Sequence, residues 1–188
     1  MAFLITPSLY SQWFWHLQTD RTKDEFLSYL RKEPQPTSEA MQQGIDFEDS
    51  VRSVTEGGKT EDPCIEETAR IVSGGLWQVT LTKQIGDLCL YGRSDVIKRD
   101  TIYDIKRCGK YEVGKYQDSI QHDLYMECSG LKRFVYIACD GNAVYQEEYR
   151  QTEQSRNELF ARIREMVNWI NADADYSKAF VEHWTAKE

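Results

Sequence analysis

Gly92-Arg93-Ser94-Asp95, Asp104-Ile105-Lys106 and Gln121-His122-Asp123-Leu124-Tyr125 follow one another within 34 residues, and their reading decides the fold. Residues 101–107 are rich in β-branched and aromatic side chains, which suits a strand. On a strand, side chains two apart point the same way, about 6.6 Å from each other. Asp104 and Lys106 therefore share one face, while Tyr103 and Ile105 share the other and can anchor the strand in a core. Residues 91–97 predict a preceding strand, and Lys98-Arg99-Asp100 a turn. Such a hairpin brings Asp95 back alongside Asp104.

Other candidates lie on helices. In Gly44-Ile45-Asp46-Phe47-Glu48-Asp49-Ser50-Val51, residues Phe47, Val51 and Val54 recur at the spacing of a buried helical stripe, and Glu48 flanks it. Gln121 and Tyr125 are four apart and share a helix face; Ile120 and Leu124 make a neighbouring apolar stripe. Acidic oxygens from adjacent strands form half of an octahedral Mg²⁺ or Mn²⁺ site, with water and a substrate phosphate supplying the rest. A carboxylate beside an ammonium can hold such a cation and still orient a water, which is the equipment of metal-dependent phosphodiester hydrolysis.

Gly44-x-x-Phe47-Glu48, Gly92-Arg93-Ser94-Asp95, Asp104-Ile105-Lys106 and Gln121-x-x-x-Tyr125 together resemble the PD-(D/E)XK nucleases, specifically the RecB-type branch that includes viral recombination exonucleases. An Asp-x-Lys alone carries almost no information; four elements in order over residues 44–125 carry much more. Thr6-Pro7-Ser8-Leu9 adds a weak match to the Ser-x-Leu start of that branch. The resemblance implies an α/β fold, a restriction-endonuclease-like α/β/α sandwich with a central mixed sheet flanked by helices. It implies Glu48, Asp95 and Asp104 as metal ligands, with the carbonyl of Ile105, and Lys106 as catalytic. Gln121 and Tyr125 are implied to support the site or to contact DNA. The second acid is Asp104 where Glu is commoner. The helix before the first strand offers Glu48 where many relatives carry a His.

The expected activity is hydrolysis of DNA phosphodiester bonds by a Mg²⁺- or Mn²⁺-dependent exonuclease of phage or recombination type. Its partner is DNA, and a homo-oligomer or a single-strand annealing or recombination partner protein is compatible with it. The competing reading is a catalytically inactive nuclease-fold module that binds DNA or protein, and a third is a structural protein with a chance motif. The retained lysine and all three carboxylates argue against the inactive module.

The chain has 188 residues and a formal net charge of −8. That length predicts one domain over residues 1–188, with an N-terminal helical elaboration to about residue 74 and a C-terminal helix over about 151–172. No apolar run approaches the ~20 residues of a membrane span, and the first residues lack the basic start of a signal peptide. A cytoplasmic location is expected. The five cysteines are odd in number and show no C-x-x-C spacing, so neither a disulfide framework nor a structural zinc is expected. Nothing cysteine-like follows Cys139, so no iron–sulfur cluster of the kind found in some RecB-type nucleases is expected either. The overall charge opposes a broad nucleic-acid footprint. Locally, residues 93–115 hold seven cations against four acids. Arg93, Arg107, Lys110 and Lys115 from that stretch are candidate phosphate contacts, and Lys98 and Arg99 would join the basic rim. His16, His122 and His183 form no ligand-like cluster, and His122 is expected to face away from Gln121.

Elsewhere, Thr6-Pro7 opens a helix carrying Leu9, Tyr10, Trp13, Phe14 and Leu17. The capping box Thr22-Lys23-Asp24-Glu25 opens a second, which Pro34-Gln35-Pro36 ends. A third runs over 38–56 to Gly57-Gly58, and a fourth from Asp62-Pro63 to Gly74-Gly75. Strands are predicted over 76–83, 88–97, 101–107, 132–138 and 143–149, and a loop over 109–114 in which Tyr111 and Val113, with Tyr116 beyond it, can line a channel. Leu159, Ile163, Met166, Val167 and Ile170 mark the last helix.

Overall fold

The computed structural model describes residues 2–186. Its sheet is built on β3 (Leu88–Lys98), the second arm of a long hairpin with β2 (Leu76–Ile85). β2 pairs along the whole of one edge of β3. The other edge is shared: β1 (Phe3–Ile5) runs parallel to its start at Leu88–Leu90, and β4 (Thr101–Arg107) pairs antiparallel with its end at Val96–Lys98. Between these two partners, residues 91–95 have no strand beside them. β5 (Arg133–Cys139) lies parallel to β4, and β6 (Val144–Arg150) closes the sheet antiparallel to β5. The sheet is therefore mixed.

Helices cover both faces. α1 (Pro7–Gln18), α2 (Lys23–Leu30), α5 (Gln121–Ser129), α6 (Glu153–Asn171) and α7 (Ala174–His183) pack on one side. There Leu9, Trp13, Phe26, Leu124, Ile163 and Phe180 share a cluster with Ile102, Phe134 and Tyr136 of the sheet. α3 (Glu39–Thr55) and α4 (Pro63–Val72) cover the other, where Phe47, Val51, Ala69 and Val72 meet Ile105, Val135 and Ile137. β4 and β5 thus alternate between two apolar layers and are buried on both faces, the usual state of a parallel pair. The α/β sandwich expected from the sequence is present.

The local signals are realised. Thr6, Ser38 and Asp62 side chains accept the backbone N–H groups of Leu9, Met41 and Cys64, and Thr22 with Glu25 forms the capping box. Two elements lie outside the sequence expectation. β1 is three residues long, too short for a period. α7 follows α6 after a brief break, where Asp173 caps it through Asp175 and Tyr176. β1 and the residues after α7 meet: Leu4 N–H donates to the Trp184 carbonyl at 2.6 Å, and Phe3 stacks on Phe180. No helix among the described residues is long and apolar enough to cross a membrane.

Candidate active site

The register Val96↔Tyr103 ends the β3–β4 ladder. One step further would set Asp95 opposite Asp104, and there the two strands part. The Ile105 N–H, left without a strand partner, donates instead to Asp95 Oδ2 at 2.7 Å. Asp95 thus closes the fork between the strands with its side chain. Asp104 projects from β4 toward α5 and is 2% exposed. Its Oδ1 accepts Gln121 Nε2 at 2.5 Å, and its Oδ2 lies 2.6 Å from Lys106 Nζ. Beyond that ion pair the buried Oδ2 has no donor, so it keeps a lone pair to give. Lys106, two residues on, shares the face of Asp104 as strand geometry requires.

Glu48 reaches the same cleft from the middle of α3, half-buried, and accepts a hydrogen bond from Gln78 Nε2 of β2. Electrostatics shows the convergence. Burial raises the Glu48 carboxyl above its ordinary pKa, and Asp104 and Asp49 push it the same way. Burial also raises Asp95 well above the usual carboxylate range, with Asp104 and Glu48 adding to it. Burial opposes the charge on Lys106, but Asp104 and Asp95 outweigh it and hold the ammonium above the ordinary lysine pKa. Three carboxylates thus face one protonated lysine, and the acids carry the strain of that imbalance.

Such a set suits a hard cation. All its donors are oxygens: Asp95, Asp104, Glu48 and the Ile105 carbonyl. Among the described residues no three His, Cys, Asp or Glu side chains stand grouped closely enough to hold a metal ion. Mg²⁺ ordinarily takes one or two carboxylates and keeps several waters, so an open pair with a spare buried oxygen is a sufficient fit.

α5 roofs the fork. Tyr125 lies flat against Gly92, where a Cβ would sit 2.1 Å from a ring carbon, and its hydroxyl donates to the Arg93 carbonyl at 3.0 Å. Gly92 is required by that ring. Tyr125 is itself 5% exposed, with burial and Asp104 pushing its hydroxyl up to about 12. It acts here as a strut between helix and strand, with no free face for a ligand. Gln121, one turn earlier, is half-buried and points at Asp104. His122 turns away, stacked on Tyr149 with centroids 3.9 Å apart and buried neutral, its pKa lowered by burial to about 4.

The cations divide. Arg93 is exposed beside the fork. Arg107 is exposed and donates to the Cys108 and Cys139 carbonyls. Lys110 pairs with Glu112, and Lys115 donates to the Lys110 carbonyl, both on the exposed loop after β4. Lys98 and Arg99 sit in the turn at the far end of the hairpin, where Lys98 Nζ donates to the Ile71 carbonyl of α4. They do not belong to a rim around the fork. Tyr111 and Tyr116 converge on Glu147 of β6, through a hydroxyl at 2.8 Å and a backbone N–H at 3.4 Å, and Tyr149 donates to the same carboxylate. Val113, at 94% exposure, stands free at the loop tip.

Gln78 is absent from any expectation drawn from the sequence, where it reads as one polar residue in an alternating strand. Only its backbone and partner mark it.

No protein-family profile and no curated protein matches the sequence. Solved structures do match. An alkaline exonuclease from Laribacter hongkongensis aligns over 95% of this chain and 93% of its own, with 15% identity and a TM-score of 0.56. Its complex with dAMP aligns over the same shares, with 14% identity and a TM-score of 0.57. A Eubacterium rectale chain provisionally assigned as an exonuclease aligns over 96% of this chain and 82% of its own, with 12% identity and a TM-score of 0.59. Identity this low speaks to fold alone: the chain shares the α/β fold of these exonuclease structures.

Proposed function

We propose that the chain is a Mg²⁺- or Mn²⁺-dependent deoxyribonuclease, an exonuclease of the phage or recombination type. The observation that carries this is the fork between β3 and β4, where Asp95 bridges to the Ile105 N–H, Asp104 pairs with Lys106, and Glu48 lies within electrostatic reach of them. Asp95, Asp104, the Ile105 carbonyl and Glu48 would hold the cation. Bound there, it would polarise the phosphoryl oxygen and lower the pKa of a water.

The chain's own groups do the rest. Lys106 stays protonated near neutral pH, so it serves as a donor: it orients the attacking water and offsets charge gathering on the phosphate. Gln121 holds Asp104 through Oδ1 and leaves Oδ2 for the reaction centre. Tyr125 and Gly92 set the height of α5 above the fork. Arg93, Arg107, Lys110 and Lys115 are the cations available to the DNA backbone. The first two are nearer the fork in sequence, and the lysines ride on the loop. The likeness of the fold to exonuclease structures and the motif order support the same reading.

The test is digestion of end-labelled linear, circular and single-stranded DNA with and without Mn²⁺. Metal-dependent loss of linear DNA with circular DNA intact is expected. Cleavage of circular DNA would make the chain an endonuclease, and no cleavage of any substrate would favour a binding module.

A further inference from the structure

Gln78 has a backbone that its position in a strand does not explain. It sits inside β2 with φ 54°, a left-handed conformation uncommon for a non-glycine residue. The β2–β3 ladder runs Trp77↔Val96, then Val79↔Ser94, so Gln78 and Asp95 face each other without pairing, and the register resumes unchanged. The alternation of the sheet is reset at that point. Leu81 and Leu90 pack in the cluster beneath α5, whereas Trp77 and Val96, each an even number of residues away, pack in the cluster beneath α3. The half-turn of both strands has two consequences. It frees Asp95 to reach the Ile105 N–H, and it points the Gln78 carboxamide at Glu48. A left-handed residue of this kind costs on the order of 1–3 kcal/mol and persists where its surroundings impose it, most often at functional sites.

We infer that Gln78 is a positioning residue for the catalytic centre: its left-handed backbone delivers a side-chain amide that fixes the Glu48 carboxylate toward Asp95 and Asp104. The inference rests on the nuclease reading for its purpose, but the contact itself can be tested without it. The amide is the only group the structure gives Glu48 as a hydrogen-bond partner among the described residues. Without that donor, Glu48 hangs from a half-exposed stretch of α3 with a full set of rotamers. An amide suits this role because it donates without adding a charge that would compete with the cation.

Three measurements decide the matter. First, the Gln78 side-chain amide signals in ¹H–¹⁵N spectra of the metal-free protein should be shifted and slow to exchange, and should move to free-amide values in Glu48→Ala. Second, Gln78→Gly tolerates the positive φ and should melt at or above the wild-type temperature, yet bind Mn²⁺ at least fivefold more weakly by calorimetry. In a Glu48→Ala background the same Gln78→Gly change should cost no further Mn²⁺ affinity, a non-additivity that a merely structural role would not produce. Third, Gln78→Gly should lower kcat on linear DNA about tenfold at saturating Mn²⁺ with KM unchanged. Amide signals indifferent to Glu48→Ala, or equal Mn²⁺ losses in both backgrounds, would overturn the inference. Coupled amide and Mn²⁺ results in a protein that cleaves no DNA would instead overturn the nuclease reading and leave Gln78 as the residue that positions Glu48.

Discussion

Lys106 and Asp104 divide the labour of the fork at the scale of single residues. Lysine is not a ligand for a hard cation, whereas the buried Asp104 Oδ2 has a lone pair to give. Lys106→Ala should therefore lower cleavage about 10²–10³-fold, the usual loss for a positioned electrostatic group, while Mn²⁺ still binds. Mn²⁺ at 100 times its dissociation constant should stabilise wild type by about 2.7 kcal/mol, a melting shift of roughly 5–10 °C at this chain length. Asp104→Asn should show almost none of that shift; equal shifts would remove Asp104 from the ligand set. Gly92 gives a second test. A methyl there must displace the Tyr125 ring from a 2.1 Å overlap, and overpacking of this kind costs about 1–3 kcal/mol. Gly92→Ala should lose that stability in chemical denaturation, and should lose more activity than its folded fraction explains because the roof over the fork lifts. Wild-type stability in Gly92→Ala would mean the ring does not rest there.

At the scale of elements, α5 must be held at a fixed height, and Glu127 does this from the helix's far end. Its carboxylate is 4% exposed and takes Lys83 of β2 at 2.8 Å and Arg156 of α6 at 2.7 Å. Burial works to raise its pKa, but the Arg156 and Lys83 hydrogen bonds prevail and hold it below the ordinary glutamate value. A depressed carboxyl stabilises the fold above its unfolded pKa and loses that contribution as pH falls through the folded one. Glu127→Ala leaves two cations that can still reach water, so the expected cost at neutral pH is about 1–3 kcal/mol. Hydrogen exchange should accelerate in α5 and in the adjoining β2 amides more than in β5. Unchanged exchange in α5 would show that Leu124 and Met126 packing suffices to seat the helix.

At the scale of the whole molecule, two neighbouring buried groups, Asp123 and His122, pull the pH dependence in opposite directions. Burial raises Asp123 from 3.8 to about 6, so the native state holds that proton more tightly than the unfolded chain. Stability is therefore lost as pH rises from near 4 through 6. Burial lowers His122 from 6.5 to about 4, so stability is lost as pH falls through that window. The two slopes oppose each other between about pH 4 and 6. Asp123→Asn removes one of them. Its stability relative to wild type should grow from little at pH 3 to at most about 3 kcal/mol at pH 7.5, from two pKa units at 1.36 kcal/mol each. A difference constant with pH would show that Asp123 is not held protonated by the fold.

Much of this was legible before any coordinates, and for one reason: it is local. The alternation in residues 101–107, the turn at 98–100 and the caps at Thr6, Thr22, Ser38 and Asp62 are decided by neighbours in the chain, and so are the faces on which Asp104, Lys106 and Gln121 lie. The order of motifs followed from the same short-range patterns. Pairing between distant segments decided the remainder. A three-residue β1 has no period and exists because β3 offers it an edge. The parting of β3 from β4, which turns Asp95 into a bridge to Ile105, depends on how far two strands stay in register as the sheet twists. Tyr125 shares a helix face with Gln121 as its spacing requires, yet Gly92, 33 residues earlier, makes it a strut. Lys98 and Arg99 count toward a basic stretch in sequence but lie at the wrong end of the hairpin, because a strand carries charges apart at about 3.3 Å per residue. Gln78 is the clearest case. Its backbone is set by partners on β3 and α3, and a glutamine in an alternating strand gives no local sign that tertiary pairing will invert it.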